Sequence, residues 1–119
     1  MGQNYYRFTL MVKTTKLSGA VLKQVNAFAK QLKAIDIPVE QLIVFGSQAK
    51  GNTHKWSDID VCVVSNSFGS DHFNTMVRLS QLTNSQTPDI EPHPMHPRDL
   101  QNKYDSLAAE ISKHGIRVV

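Results

Sequence analysis

The stretch from residue 44 to residue 64 constrains the chain most, because two apolar runs there enclose a glycine turn and two carboxylates. Gly46 and Ser47 close the first run, and the acidic pair, Asp58 and Asp60, opens the second. Side chains of a strand alternate between the two faces of a sheet, so we expect both carboxylates to project on one face. Two bare charges side by side repel unless a cation lies between them, and carboxylate oxygens are ligands that Mg²⁺ and Mn²⁺ prefer. The pair therefore predicts a metal site.

The glycine turn supplies the second half of a candidate site. Glycine lets the backbone approach a ligand closely, and backbone N–H groups of such a turn can approach a phosphate. A short helix over residues 47–50 is expected after Gly46. A phosphate turn beside paired carboxylates is typical of enzymes that transfer phosphate-bearing groups, and a third carboxylate commonly serves there as metal ligand and general base. Asp89 and Glu91 are the candidates, and because they share one face of a strand, spacing leaves the choice open.

The periodicity of apolar side chains predicts a small α/β domain. Residues 16–35 repeat apolar side chains every three or four positions, which predicts an amphipathic helix that Ser18 or Thr15 would cap. The apolar runs over residues 39–45 and 60–65 predict buried strands. A second helix is expected after the turn at residues 65–70, with an apolar stripe of Phe73, Met76, Val77, Leu79 and Leu82.

The last third of the chain is dominated by proline. A strand rich in proline cannot donate a regular ladder of hydrogen bonds, so we predict a short edge strand that ends near Glu91 or Pro92. Pro97 is expected to begin a third helix, followed by Gly115 as a left-handed cap and by a final edge strand over residues 116–119. The predicted apolar stripe of that helix consists of Leu100, Tyr104, Leu107, Ala108 and Ile111.

Composition narrows the class of protein. The 119 residues suit a single domain, with residues 1–15 as an arm or edge strand. The net charge of +3 comes from scattered basic residues and gives no strong nucleic-acid signature. No apolar run approaches the roughly 20 residues of a membrane span or forms a signal core, so a cytoplasmic protein without membrane contact is predicted. The single cysteine, Cys62, is expected to be buried, and His54, His93 and His96 are interpreted as loop residues because they lack zinc-ligand spacing.

One family pattern matches these residues. The run Gly46-Ser47-Gln48-Ala49-Lys50-Gly51, followed by Ser57-Asp58-Ile59-Asp60-Val61, resembles the signature of the minimal nucleotidyltransferases of the DNA polymerase beta superfamily. The resemblance covers about residues 40–65 and extends more weakly to the segment around residue 91. It implies a mixed β-sheet flanked by helices, and it favours Glu91 over Asp89 as the third carboxylate.

The resemblance also implies a role for each matching residue. Gly46, Ser47 and Lys50 would contact the triphosphate of a nucleotide. Catalysis and the binding of Mg²⁺ or Mn²⁺ would fall to the three carboxylates Asp58, Asp60 and Glu91. Two departures stand out: members of this group often carry arginines where this chain has Gln48 and Lys50, and Glu91 replaces the more usual aspartate.

The implied activity is transfer of a nucleoside monophosphate, expected to be AMP, from ATP or another nucleoside triphosphate to an acceptor hydroxyl. Small stand-alone members are often paired with a helical HEPN partner in toxin–antitoxin systems, so we expect an antitoxin that modifies a hydroxyl of such a partner protein. One alternative is a nucleotidyltransferase for an aminoglycoside-like small molecule, with a homodimer completing the acceptor site. The other, suggested by Gln48 and Glu91, is a catalytically weak module that neutralises a partner by binding it.

Overall fold

The computed structural model describes residues 17–51 and 58–119. The arm predicted for residues 1–15 lies outside the described residues, as do His54 and Ser57. None of the described helices is long and apolar enough to cross a membrane. In chain order the described elements are α1 (Gly19–Ala34), β1 (Gln41–Phe45), α2 (Ser47–Lys50), β2 (Ile59–Val64), α3 (His72–Ser80), β3 (Ile90–Met95), α4 (Pro97–Leu100), α5 (Ser106–His114) and β4 (Ile116–Arg117).

The strands form one mixed sheet in the order β3-β2-β1-β4. β1 pairs antiparallel with β2 and with β4, whereas β2 and β3 run parallel. The register sets Asp60 between Phe45 of β1 and Glu91 of β3. The predicted α/β class, a mixed sheet flanked by helices, is confirmed.

Individual residues at each end set the bounds of α1. The Val21 N–H donates to the Ser18 side chain at 3.2 Å, so Ser18 is the N-cap and the helix begins three residues later than its apolar pattern does. Past its C-terminus, Asp36 has a φ of 59°, a left-handed conformation that Asp tolerates better than most residues. One stripe of the helix is buried: Val21, Val25, Phe28 and Leu32.

The sheet has two faces with different covers. Alternate strand residues pack against α1 and α3 on one side and against α4 and α5 on the other. We call the first side the α1 face; the strand residues of its buried cluster are Leu42, Val44, Ile59, Val61, Val63, Ile90 and Ile116. We call the second side the α5 face; its buried strand residues are Ile43, Phe45, Cys62, Val64 and Met95.

β3 is longer than the sequence indicated. It pairs with β2 as far as Met95, so the expectation that it ends near Glu91 or Pro92 is wrong. The Asp89 and Met95 carbonyls accept hydrogen bonds from Ile59 and Ser65, at the two ends of β2. By the two-residue period of a strand, residues 90, 92 and 94 turn their amide positions to the free edge, where proline removes no ladder bond.

The third predicted helix is interrupted. α4 ends at Leu100, and α5 begins at Ser106 because Asp105 caps it, accepting from the Leu107 and Ala108 N–H groups. Tyr104 lies in the interruption and is 86% exposed, so its assignment to the apolar stripe is wrong. The predicted left-handed cap is also wrong, since Gly115 has a φ of −65°. Its lack of a side chain matters because a Cβ there would collide with the Ile111 carbonyl.

Candidate active site

Acidic side chains gather on the α5 face where β2 begins. Asp60 is the second residue of β2, and its partner across the parallel pairing is Glu91. Neighbouring strands lie about 4.8 Å apart, so their paired side chains project side by side. Asp60, Glu91 and His93 each offer one ligand atom within 4.8 Å of the other two. The sheet register thus unites residues that are about thirty positions apart in the chain.

Gly46 makes room for this cluster. Its φ of 71° lies in the left-handed region that glycine adopts at little cost, and a Cβ at this position would collide with Oδ2 of Asp60. Ser47 follows directly as the first residue of α2, and the Lys50 N–H donates to the Gly46 carbonyl at 3.2 Å. The turn and the carboxylate strand are therefore in direct contact, as the sequence motif predicts.

His93 lies within the cluster. Its Nε2 is 3.2 Å from Oδ1 of Asp60 and 4.0 Å from Oε1 of Glu91. Its ring meets the Phe45 ring edge to face, with centroids 5.0 Å apart and an interplanar angle of 65°. The interpretation of His93 as a loop residue is wrong, because it belongs to β3. Its signal in the sequence was the two-residue spacing from Glu91, which sets both side chains on one face.

Glu91 holds its proton more tightly than an ordinary glutamate does. Partial burial is the largest cause of its raised pKa, and the negative charge of Asp60 is the next. The charge of Asp58 and a hydrogen bond to Asp60 act in the same direction, whereas His93 opposes them. The cluster is therefore short of positive charge, which a bound cation would supply.

The remaining predicted acids lie in different surroundings. Asp58 is exposed, one position before β2, and is not among the described residues whose ligand atoms converge. Asp89 is bound to α1: its Oδ2 accepts from Nε2 of Gln24 at 2.8 Å, and its N–H donates to Oε1 of Gln24 at 3.0 Å. Of the two candidates for the third carboxylate, Glu91 lies beside Asp60 and Asp89 joins the sheet to a helix.

Lys50, predicted to contact phosphate, is paired within the protein. Its Nζ lies 2.9 Å from Oε1 of Glu110 on α5, and the two side chains are 38% and 33% exposed. This ion pair ties α2, and with it the Gly46 turn, to the helix that covers the α5 face. An ion pair so open to solvent is worth about 0–1 kcal/mol, so breaking it costs the protein little stability.

Cys62, two residues beyond Asp60 on the same face, takes no part in this chemistry. It is buried, and burial raises the pKa of its thiol to about 12. A protonated thiol is a poor nucleophile and a poor metal ligand. The predicted role of a small buried side chain is confirmed.

The donor set fits a divalent cation. Two carboxylates are suitable ligands for Mg²⁺ or Mn²⁺, and adjacent ligands of an octahedral ion with bonds of about 2.1 Å lie about 3 Å apart. The 3.2 Å between Nε2 of His93 and Oδ1 of Asp60, a hydrogen-bond distance, is also close to that separation. With a glycine turn against the same carboxylate, the arrangement suits the binding of an anionic, metal-chelated ligand such as a nucleoside triphosphate.

Comparison with known proteins agrees with this description. A family model described as a nucleotidyltransferase domain matches residues 22–114. No curated protein sequence matches the chain significantly.

Three solved structures share the fold. A proposed nucleotidyltransferase from Sulfolobus solfataricus has a TM-score of 0.56 at 18% identity, covering 76% of each chain. A toxin–antitoxin structure with AMP-PNP has a TM-score of 0.53 at 21% identity, covering 79% of this chain and 71% of that one. A mutant of the toxin–antitoxin MntA-HpeT has a TM-score of 0.51 at 18% identity, covering 79% and 70%. At these identities the likeness establishes the fold.

Proposed function

The chain belongs to the nucleotidyltransferase domain family, and from that premise we propose that it transfers AMP from ATP to an acceptor hydroxyl. The hydroxyl oxygen attacks the α-phosphorus, the bond from that phosphorus to the bridging oxygen breaks, and pyrophosphate leaves. The observation that carries the proposal is the pairing of Asp60 with Glu91 across β2 and β3, in contact with the Gly46 turn.

Each site residue has a proposed role. Asp58, Asp60 and Glu91 hold Mg²⁺ or Mn²⁺, which when bound neutralises charge that builds up on the phosphates. Glu91 also orients the acceptor hydroxyl and takes up its proton. Gly46 and Ser47 form the turn that contacts the triphosphate, and Gly46 adds no side chain to it. Lys50 exchanges its ion pair with Glu110 for one with phosphate.

The proposed acceptor is a hydroxyl on a partner protein. Two structural neighbours are toxin–antitoxin structures, and one of them contains AMP-PNP, an analogue of ATP, which supports an adenine nucleotide. We infer an antitoxin that acts on a helical partner of the HEPN type. In this account, the partner brings the acceptor hydroxyl to the partly exposed cluster of Asp60 and Glu91.

The test is a transfer assay with the helical protein that a neighbouring gene would encode. Purified chain, partner, Mg²⁺ and ATP labelled at the α-phosphate are expected to give labelled partner, and Asp60→Asn is expected to label it far more slowly. The matched control is Asp89→Asn, which removes a carboxylate outside the cluster and should leave labelling intact.

Two results would redirect the proposal. Label on an aminoglycoside-like small molecule and none on the partner would favour the small-molecule enzyme. If calorimetry detects no binding of ATP and Mg²⁺ at millimolar nucleotide, while the chain still binds the partner, it is a neutralising module and the transfer hypothesis fails.

A further inference from the structure

His93 is the one member of the cluster that the proposed chemistry has not used. We propose that His93 is a direct ligand of the cation held by Asp60 and Glu91, and that its imidazole makes the site prefer first-row transition ions, such as Mn²⁺, to Mg²⁺. This inference rests on the proposed function only in requiring that the site takes a divalent cation.

The geometry favours a ligand. The His93 Nε2 faces both carboxylates, at 3.2 Å from Asp60 and 4.0 Å from Glu91. Ligands that share one ion of octahedral geometry lie about 3 Å apart when adjacent and about 4 Å apart when opposite, so all three atoms can share one ion after small adjustments. The three ligand atoms lie within 4.8 Å of one another.

The ring is held in position by its surroundings. It packs edge to face against Phe45, which is buried in the α5 face, and its side chain is 20% exposed. The residues of β3 before and after His93 all pair with β2, which fixes the backbone at this position. A side chain held on a paired strand loses less conformational freedom on binding an ion than a loop side chain does.

The donor chemistry explains the preference. Mg²⁺ favours oxygen ligands and near-ideal octahedral geometry, and it dehydrates reluctantly. Imidazole is a better ligand for first-row transition ions, whose affinity for nitrogen exceeds that of Mg²⁺. Replacing one oxygen of an all-oxygen set by the imidazole of His93 therefore shifts selectivity away from Mg²⁺.

A different role is consistent with the same distances. The Nε2–H of His93 could donate to Asp60 and orient its carboxylate, in which case the ion would have only oxygen ligands from the protein. That role also weakens metal binding when His93 is replaced, so affinity alone does not separate the two. The decisive observation is whether a histidine nitrogen is bonded to the ion.

Mn²⁺ is the probe, because its unpaired electrons report bonded nitrogen. Pulsed electron paramagnetic resonance of the full chain with Mn²⁺ is expected to show the coupling of one imidazole nitrogen. His93→Asn should abolish that coupling and reduce the ratio of Mn²⁺ to Mg²⁺ affinity. The control His72→Asn changes an exposed histidine at the start of α3 and should leave both unchanged.

The wild-type spectrum alone can overturn the inference. Absence of imidazole coupling in the wild-type protein, or persistence of the coupling in a folded His93→Asn variant, would show that His93 is no ligand. His93→Gln is the second variant if His93→Asn does not fold. AMP transfer is measured separately: coupling without transfer would refute the proposed function alone, and transfer without coupling would refute this inference alone.

Discussion

The two faces of the sheet are built from alternate residues of the same strands, yet they serve different purposes. On the α1 face, Leu42 and Val61 are inaccessible to solvent and packed under a helix of 16 residues. On the α5 face, the apolar residues are covered by two short helices, while Asp60 and Glu91 stay 26% and 53% exposed. One face holds the core together and the other combines a smaller core with an accessible acidic cluster, so stability and chemistry can be altered separately.

The largest expected effect is on the α5 face, where a substitution should abolish most of the activity and leave the protein folded. Asp60→Asn keeps the size of the side chain but removes a charge from the cluster, and we expect the transfer rate to fall roughly 10³-fold, equivalent to about 4 kcal/mol. Circular dichroism and urea denaturation should show a folded protein. A rate within about tenfold of wild type would remove Asp60 from the catalytic site.

The converse substitution lies on the α1 face. Leu42→Ala opens a cavity in a closed core and is expected to lower the free energy of unfolding by about 2–5 kcal/mol, measured by urea denaturation. Transfer by each folded molecule should hardly change, because Leu42 projects away from the acidic cluster. A comparable loss of activity below the unfolding transition would mean that the two faces are coupled.

Two glycine substitutions test whether the acidic cluster needs the space that Gly46 leaves beside it. Gly46→Ala and Gly51→Ala both place a side chain at positive φ, which costs about 1–2 kcal/mol of stability. Only the Cβ at Gly46 collides with Asp60, since among the described residues none has an atom within 4 Å of a Cβ at Gly51. Calorimetry with Mn²⁺ should therefore show weaker binding for Gly46→Ala alone; equal binding by both variants would place the carboxylate elsewhere.

The smallest expected effect is on the pH dependence of stability. The pKa of Glu91 is raised in the folded state. Its contribution to the free energy of unfolding is therefore complete at pH values below its unfolded pKa, and it is lost as pH rises through the folded pKa. Glu91→Gln removes this loss, so the metal-free variant should melt at the same or a slightly higher temperature than wild type at pH 7. A metal-free variant that melts lower at pH 7 but not at pH 4 would contradict the sign. Added Mn²⁺ should stabilise the wild type and not the variant.

Sequence patterns predicted those parts of the fold that depend on local chemistry. The apolar stripe of α1 follows from spacing and is confirmed, whereas side-chain type left two candidate caps, Ser18 and Thr15, of which Ser18 is the N-cap. The extent of β3 could not be predicted, because composition does not say which way Pro92 and Pro94 turn their amide positions. The interruption before α5 could not be predicted either, because the apolar spacing continues across it. The side chain of Asp105 caps α5 there, so the helix begins at Ser106.

The site was predictable to the extent that its residues share a strand or a turn. The placement of Gly46 against Asp60 follows from the motif, whereas the choice between Asp89 and Glu91 depends on the register of two strands and on Gln24 of a distant helix. The ion pair of Lys50 with Glu110 joins residues 60 positions apart and has no signature in the sequence. The assignment of site roles to individual residues stays a prediction until a ligand is observed.

The central claim is that the acidic cluster of the α5 face is the cation and nucleotide site. The most direct test is a crystal structure of the chain with Mn²⁺ and a nonhydrolysable ATP analogue, with anomalous scattering used to locate the ion. We expect an ion between Asp60 and Glu91, with the triphosphate against the turn at Gly46. An ion bound by Asp89 in place of Glu91, or a nucleotide bound away from this turn, would contradict it.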